Sequence, residues 1–182
     1  MLILSVLCSV ILGYLSGGRL SRYEGAGLTW LGLPVIGLLM QEVLLPRLTG
    51  LHALLVPLSY ALLLLFLWKN RHLRKTALLC GLGWACNALV ICANGFRMPV
   101  AARAAAHLSS EGLAKLTAGE IPMYALADTD TNLLFLGDIL YCPLPFLSGF
   151  ASVGDLLLAA GLFFCLLRVM DPARLSHWLK SG

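Results

Sequence analysis

The chain is written in long apolar blocks separated by short polar stretches. It has neither the strict alternation of a half-buried strand nor the single apolar stripe of a soluble helix. Five blocks stand out, at about Met1 to Ser16, Leu28 to Leu45, Leu51 to Trp68, Thr76 to Ala93 and Ala151 to Val169. Each approaches the roughly 20 residues that carry an α-helix across the hydrocarbon core, the first being the shortest. The pattern predicts an all-α fold, a polytopic transmembrane helical bundle of about five spans in a single membrane domain over residues 1–182. No basic stretch precedes the first block, and Arg19 and Arg22 follow it, so an uncleaved helix is expected and not a signal peptide. Pro34 and Pro57 are placed to kink the second and third helices.

Between the fourth and fifth blocks, Asn94 to Phe150 is too long for a simple turn. Met98-Pro99-Val100 opens an alanine-rich run to Leu108, with Pro99 suited to a first helical position. Ser110 is placed to cap a second short helix ending near Gly119. Both are expected to be interfacial helices, and Pro122 to Phe150 a folded apolar loop packed on the bundle.

Composition agrees with a bilayer as solvent. Of 182 residues, 59% are hydrophobic and 12% charged, against about a quarter charged in ordinary soluble domains. The net charge of +4 is explained by topology, because cytoplasmic loops hold an excess of Lys and Arg. Placing Lys69, Arg71, Arg74 and Lys75 inside also brings Arg19, Arg22, Arg168, Arg174 and Lys180 inside, nine in all. Arg47, Arg97, Arg103 and Lys115 remain outside. That orientation has the N-terminus outside, the C-terminus in the cytoplasm and the long loop on the outer face. No nucleic-acid partner is inferred.

The six cysteines, Cys8, Cys80, Cys86, Cys92, Cys142 and Cys165, show no C-x-x-C pair, and all but one fall in apolar segments where a thiol acts as a small hydrophobe. The histidines are scattered. No metal site and no cofactor is predicted. Asp128 and Asp130 have superficially calcium-like spacing, but no glycine turn or bidentate glutamate follows, so a solvated turn is expected.

Polar residues near a bilayer are the informative ones, since each is costly unless paired or wet. Here they gather toward one end. Gln41 and Glu42 lie near the outer end of the second helix, Asn94 and Arg97 at that of the fourth, Asp155 at the start of the fifth, and Asp138 in the loop folding over them. Glu42, Asn87, Asn94 and Arg97 form a candidate polar cluster, with Glu42 and Arg97 expected to pair. Asn87 and Asn94 share a small, polar face with Cys80 and Gly83, as expected of a helix–helix contact, and Gly13 and Gly17 invite the same reading. Ser152-Val153-Gly154-Asp155 matches a capping box, and Asp138 after Leu136-Gly137 matches a tight turn, which are structural readings of both acids. The functional reading makes Asp138 and Asp155 a catalytic carboxylate pair whose protons titrate apart.

Gly17-Gly18-Arg19-Leu20, Asn94-Gly95-Phe96-Arg97-Met98-Pro99-Val100, Phe135-Leu136-Gly137-Asp138 and Ser152-Val153-Gly154-Asp155 resemble the signature of a bacterial membrane family catalogued as domain of unknown function 5317. The resemblance runs along nearly the whole chain. It implies a multi-pass protein of the bacterial inner membrane and no activity. Around Asp138 and Asp155 the layout is also similar to lipoprotein signal peptidase, a four-span aspartic peptidase, although that family's Gly-Asn-x-x-Asp-Arg element is missing here. Three readings follow. The first is a binding or accessory module engaging a lipid, a peptide or small solute, or a partner membrane protein at its outer mouth. The second is a membrane aspartic hydrolase. The third is a small-solute transporter, disfavoured because no charge sits mid-bilayer. The sequence leaves open whether the chain is an enzyme.

Overall fold

The apolar blocks are helical in the computed structural model, which describes residues 1–144 and 149–180, the side chains of Glu42, Thr49, His52 and Lys180 excepted. In chain order the helices are α1 (Leu2–Leu15), α2 (Gly32–Leu39), α3 (His52–Lys69), α4 (Arg74–Ala93), α5 (Ala102–Ala105), α6 (Ser110–Thr117), α7 (Val153–Met170) and α8 (His177–Lys180). By length and apolar character α4 and α7 are candidate membrane spans. A third arises if α1 is joined to the 3-10 segment Leu20–Ala26, from which it is bent by 99°. Helix α3 is equally apolar but slightly shorter over Ala53–Lys69.

The second helix starts later than its apolar block. Residues 28–30 are held out of the helix because the Asn70 side chain, at the end of α3, accepts from Thr29 N at 2.9 Å and donates to Thr29 O at 2.9 Å. Trp30 takes a left-handed φ of 60° there. Helix α2 continues through a π-helical turn, Met40–Leu44. Pro34 falls in its first turn, where a missing N–H is harmless, and α3 runs through Pro57 as one helix.

Helices pack in the spatial order α2, α3, α4, α7, α1. The α4–α7 contact is the closest and follows from small residues on both helices. A Cβ built on Gly83 would lie 2.6 Å from Gly154 O, and one on Gly161 would collide with Cys80 Sγ. The stripe of Cys80, Gly83 and Asn87 is therefore an interhelical seam. On the other side of α7, the Ser5 hydroxyl donates to Ala159 O, Ser9 is fully buried, and Gly13 abuts Met170. Gly17 departs from the small-residue expectation: it has open space and φ +81°. It ends α1, with Gly18 N reaching back to Gly13 O at 2.8 Å.

The long loop contains strands that the all-α expectation did not include. Met98–Val100 is not the start of a helix but strand β1, paired in parallel with β2 (Tyr124–Leu126). Pro99 lacks an N–H, yet on its other face β1 offers only the Pro99 carbonyl and the Ala101 N–H, both taken by Asp138 at 2.9 and 3.0 Å. Helix α6 is capped by Ser109, whose hydroxyl accepts from Gly112 N, and not by Ser110. Strands β3 (Leu140–Cys142) and β4 (Gly149–Ala151) pair antiparallel, with Leu140 opposite Ala151.

Two apolar clusters fix this loop. Val100, Ala104, Ala105 and Leu116 make a small core of its own. Met98, with Phe96, Met123 and Leu136, enters the bundle among Met40, Leu45, Val56, Val90 and Ile91. The loop thus stops the end of the bundle instead of lying over it. At the opposite end, Lys69 and Lys75 sit 4.8 and 3.7 Å from the ring centroids of Trp30 and Trp178, and Arg71 is 5.5 Å from Trp68.

Candidate functional site

Strands β3 and β4 bring the two candidate acids to one end of the bundle. Asp138 stands just before β3, and Ser152 and Asp155 follow β4 at the start of α7. Ser152 caps α7: its Oγ accepts from Asp155 N at 3.0 Å, and Asp155 Oδ2 accepts from Ser152 N at 3.0 Å. This is the capping box expected from the sequence. Across the seam, Asn87 Nδ2 donates to Asp155 Oδ1 at 3.0 Å, and the Ser152 hydroxyl donates to Asn87 Oδ1 at 2.9 Å. Gly154 must be glycine for this to form, because a Cβ there would fall on Asn87 Oδ1. Asn87 is 5% exposed, Ser152 fully buried and Asp155 half-buried, and each has its partners, so the network is geometrically complete.

Asp138 is a different kind of acid. Its backbone is locked beside β1, where it bridges to Val100. Gly137 permits that approach, since a Cβ would lie 2.6 Å from Pro99 O. The carboxyl is 3% exposed, and its buried Oδ1 has no hydrogen-bond partner among the described residues. Burial first, and then the charge of Asp155, push its pKa up from 3.8 to about 7. The oxygens of Asp155 are thus occupied by donors from Ser152 and Asn87, while Asp138 retains a proton near neutrality. Tyr60, on α3, packs against the core that Met98 enters, its ring centroid 6.1 Å from that of Trp84. Nothing in the sequence pattern singled out Tyr60, which sits in an apolar helix with no polar neighbour at helical spacing.

The remaining candidates do other work. Asn94 clamps the loop: its Nδ2 donates to Val90 O and Asn132 O at 2.7 and 2.8 Å, and its Oδ1 accepts from Asn132 N at 2.9 Å. Arg97 is half-buried beneath Gly119, whose Cβ would lie 3.2 Å from its Nη1. The expected Glu42–Arg97 pair cannot be placed, since the Glu42 side chain lies outside the described residues. Gln41 bonds Ser59 of α3 at 2.8 Å and takes no part in the cluster. Asp128 forms the expected turn, accepting from Asp130 N and Thr131 Oγ1. Among the described residues no group of three His, Cys, Asp or Glu side chains is arranged to hold a metal.

Left-handed backbone at Phe96, Met123 and Leu133 surrounds this end. Such conformations cost about 1–2 kcal/mol per non-glycine residue and persist where packing over-determines them. Phe96 and Met123 are held by the core they enter.

A model of the family of unknown function DUF5317 matches residues 30–167. The chain belongs to this family. The DUF5317 match takes in Asn87, Asn94, Arg97, Asp138 and Asp155 and leaves α1 outside. No curated protein and no solved structure matches the chain. The likeness to lipoprotein signal peptidase therefore rests on the layout around Asp138 and Asp155 alone.

Proposed function

We propose that this DUF5317 protein is a five-span protein of the bacterial inner membrane, with N-terminus outside and C-terminus inside. Its plugged outer mouth serves as a binding or accessory module. The observation that carries this reading is the division between the acids. Both oxygens of Asp155 already accept hydrogen bonds from Ser152 and Asn87, and Asp138 is 3% exposed. Neither acid is presented to a substrate as a water-activating pair would be. Orientation is supported by the Trp30, Trp68 and Trp178 rings that gather with Lys69, Arg71 and Lys75 at one end, the belt of a cytoplasmic interface. Cysteine labelling checks it: in a cysteine-free chain, Lys115→Cys should react with a membrane-impermeant maleimide in intact cells and Ser21→Cys only after lysis.

A membrane aspartic hydrolase is the second reading, and the unpartnered Asp138 Oδ1 beside the Asp155 charge favours it. The two separate on turnover. Purified protein in lipid vesicles, given a fluorogenic lipidated peptide, should release no product on the module reading. Release that disappears in a folded Asp138→Asn variant would replace the module by the hydrolase.

A further inference from the structure

At the end opposite the plugged mouth, the turn that closes α1 opens a cavity of about 860 Å³ lined by Tyr14, Gly17, Gly18, Arg19, Ser21 and Arg22, among others. Its backbone and the Arg22 side chain are held in place. Arg19 N donates to Met170 O at 2.9 Å, fixing the root of that side chain. Arg22 Nη1 donates to Asp171 O at 2.8 Å and also contacts Gly17 O, which holds the guanidinium at the rim with further N–H groups to offer. Ser21 adds a hydroxyl. Tyr14 and Leu20, 52% and 40% exposed, supply an apolar shoulder beside the charges. The nearby acids Glu24 and Asp171 are outnumbered by Arg19, Arg22, Arg168 and Arg174.

The cavity lies at the level of the aromatic and basic belt, tied to it by Thr29–Asn70 bonds, by His72 at 3.2 Å from Ala26 O and by Arg168 at 3.4 Å from Gly25 O. Two guanidinium groups beside a hydroxyl, with an apolar wall at a membrane interface, match a phosphate carried on an acyl-bearing molecule. We propose that this cavity binds the phosphate of an anionic phospholipid headgroup. A free phosphate would use the same donors but leave Tyr14 and Leu20 without a role. The lipid source rests on the membrane placement given above, whereas the cavity itself does not.

The test titrates purified protein in neutral detergent with short-chain phosphatidylglycerol, short-chain phosphatidylcholine or sodium phosphate, reading bound ligand by native mass spectrometry and stability by thermal shift. Phosphatidylglycerol is expected to bind and stabilise, and phosphatidylcholine and inorganic phosphate are not. Arg19→Gln should weaken phosphatidylglycerol about five- to tenfold with an unchanged ligand-free melting temperature, and Ser21→Ala less. Lys115→Gln, in the loop, should leave it unchanged. Because Arg22→Gln removes the bond to Asp171 O and is expected to lower stability, Arg19 and Ser21 carry the test. Equal binding of inorganic phosphate would overturn the lipid assignment in favour of a free anion. No binding, or binding that Arg19→Gln leaves at the wild-type level, would overturn the site. Detergent binding needs no orientation, so a failed cysteine-labelling topology would stand apart from a failed site.

Discussion

Two glycines of α4, Gly81 and Gly83, have opposite surroundings, so the same substitution at each should change stability in opposite directions. Nothing lies within 4 Å of a Cβ built on Gly81. Gly81→Ala should therefore gain helix propensity, up to about 1 kcal/mol, with no steric cost. A Cβ on Gly83 would meet Gly154 O at 2.6 Å and Leu158 N at 2.9 Å, both backbone atoms that cannot rotate away. Helices α4 and α7 would have to separate, which costs roughly 1–3 kcal/mol for overpacking. Separation also stretches the bonds from Asn87 to Ser152 and Asp155, worth about 0.5–1.5 kcal/mol each. The expected net is a loss of about 2–4 kcal/mol for Gly83→Ala, set against a small gain for Gly81→Ala. Thermal denaturation in one detergent, followed by intrinsic fluorescence and by loss of the monodisperse peak on size exclusion, compares them directly. If Gly83→Ala melts with or above Gly81→Ala, the close approach of α4 and α7 is refuted.

Further expectations follow from the same end of the bundle. Asp138 binds its proton more tightly when folded, so its contribution is fully present below about pH 3.8 and is lost as pH rises toward about 7. Melting temperature should fall across that window, by the equivalent of roughly 3–4 kcal/mol, and Asp138→Asn should flatten the slope; an unchanged slope would contradict the buried acid. Asn87→Leu strands the Ser152 hydroxyl and one Asp155 oxygen, and should cost about 2–4 kcal/mol, whereas Asn87→Gln should recover little because its longer side chain meets Gly154. Asn94→Ala should leave the helices intact but release the loop, measurable as faster hydrogen exchange at residues 130–138 with little change across α7.

What was legible in the sequence was what is local. Four apolar blocks became helices with ends within two residues of expectation, because a run of Leu, Ile and Val admits little else in a bilayer. The second began at Gly32 because a partner distant in sequence, Asn70, takes both the N–H and the carbonyl of Thr29. Residues β1 to β4 were not legible: strands of three residues carry no periodicity, and β1 contains a proline that reads equally as a helix start. At the site, the capping box of Ser152 and Asp155 was visible because it closes within four residues. The face of α4 bearing Asn87 was visible too, but its partner was not, since the two lie 68 residues apart. Tyr60 and the burial of Asp138 depend on three segments meeting, which spacing along one chain does not report.

The place of α7 between α4 and α1 has a consequence for how the protein is made. The ties of α1 and the turn that follows it span most of the chain: Ser5 to Ala159, Arg19 to Met170 and Arg22 to Asp171. Synthesis delivers the helix that receives them after α1 and α4 have both emerged. On the five-span placement proposed above, those two helices wait in the lipid with their serine, glycine and asparagine faces unmatched until α7 arrives to join them. Assembly is thereby deferred to the end of translation, and a ribosome stalled before residue 153 would leave a set of inserted helices open to whatever membrane chaperone or protease reads unpaired polar groups.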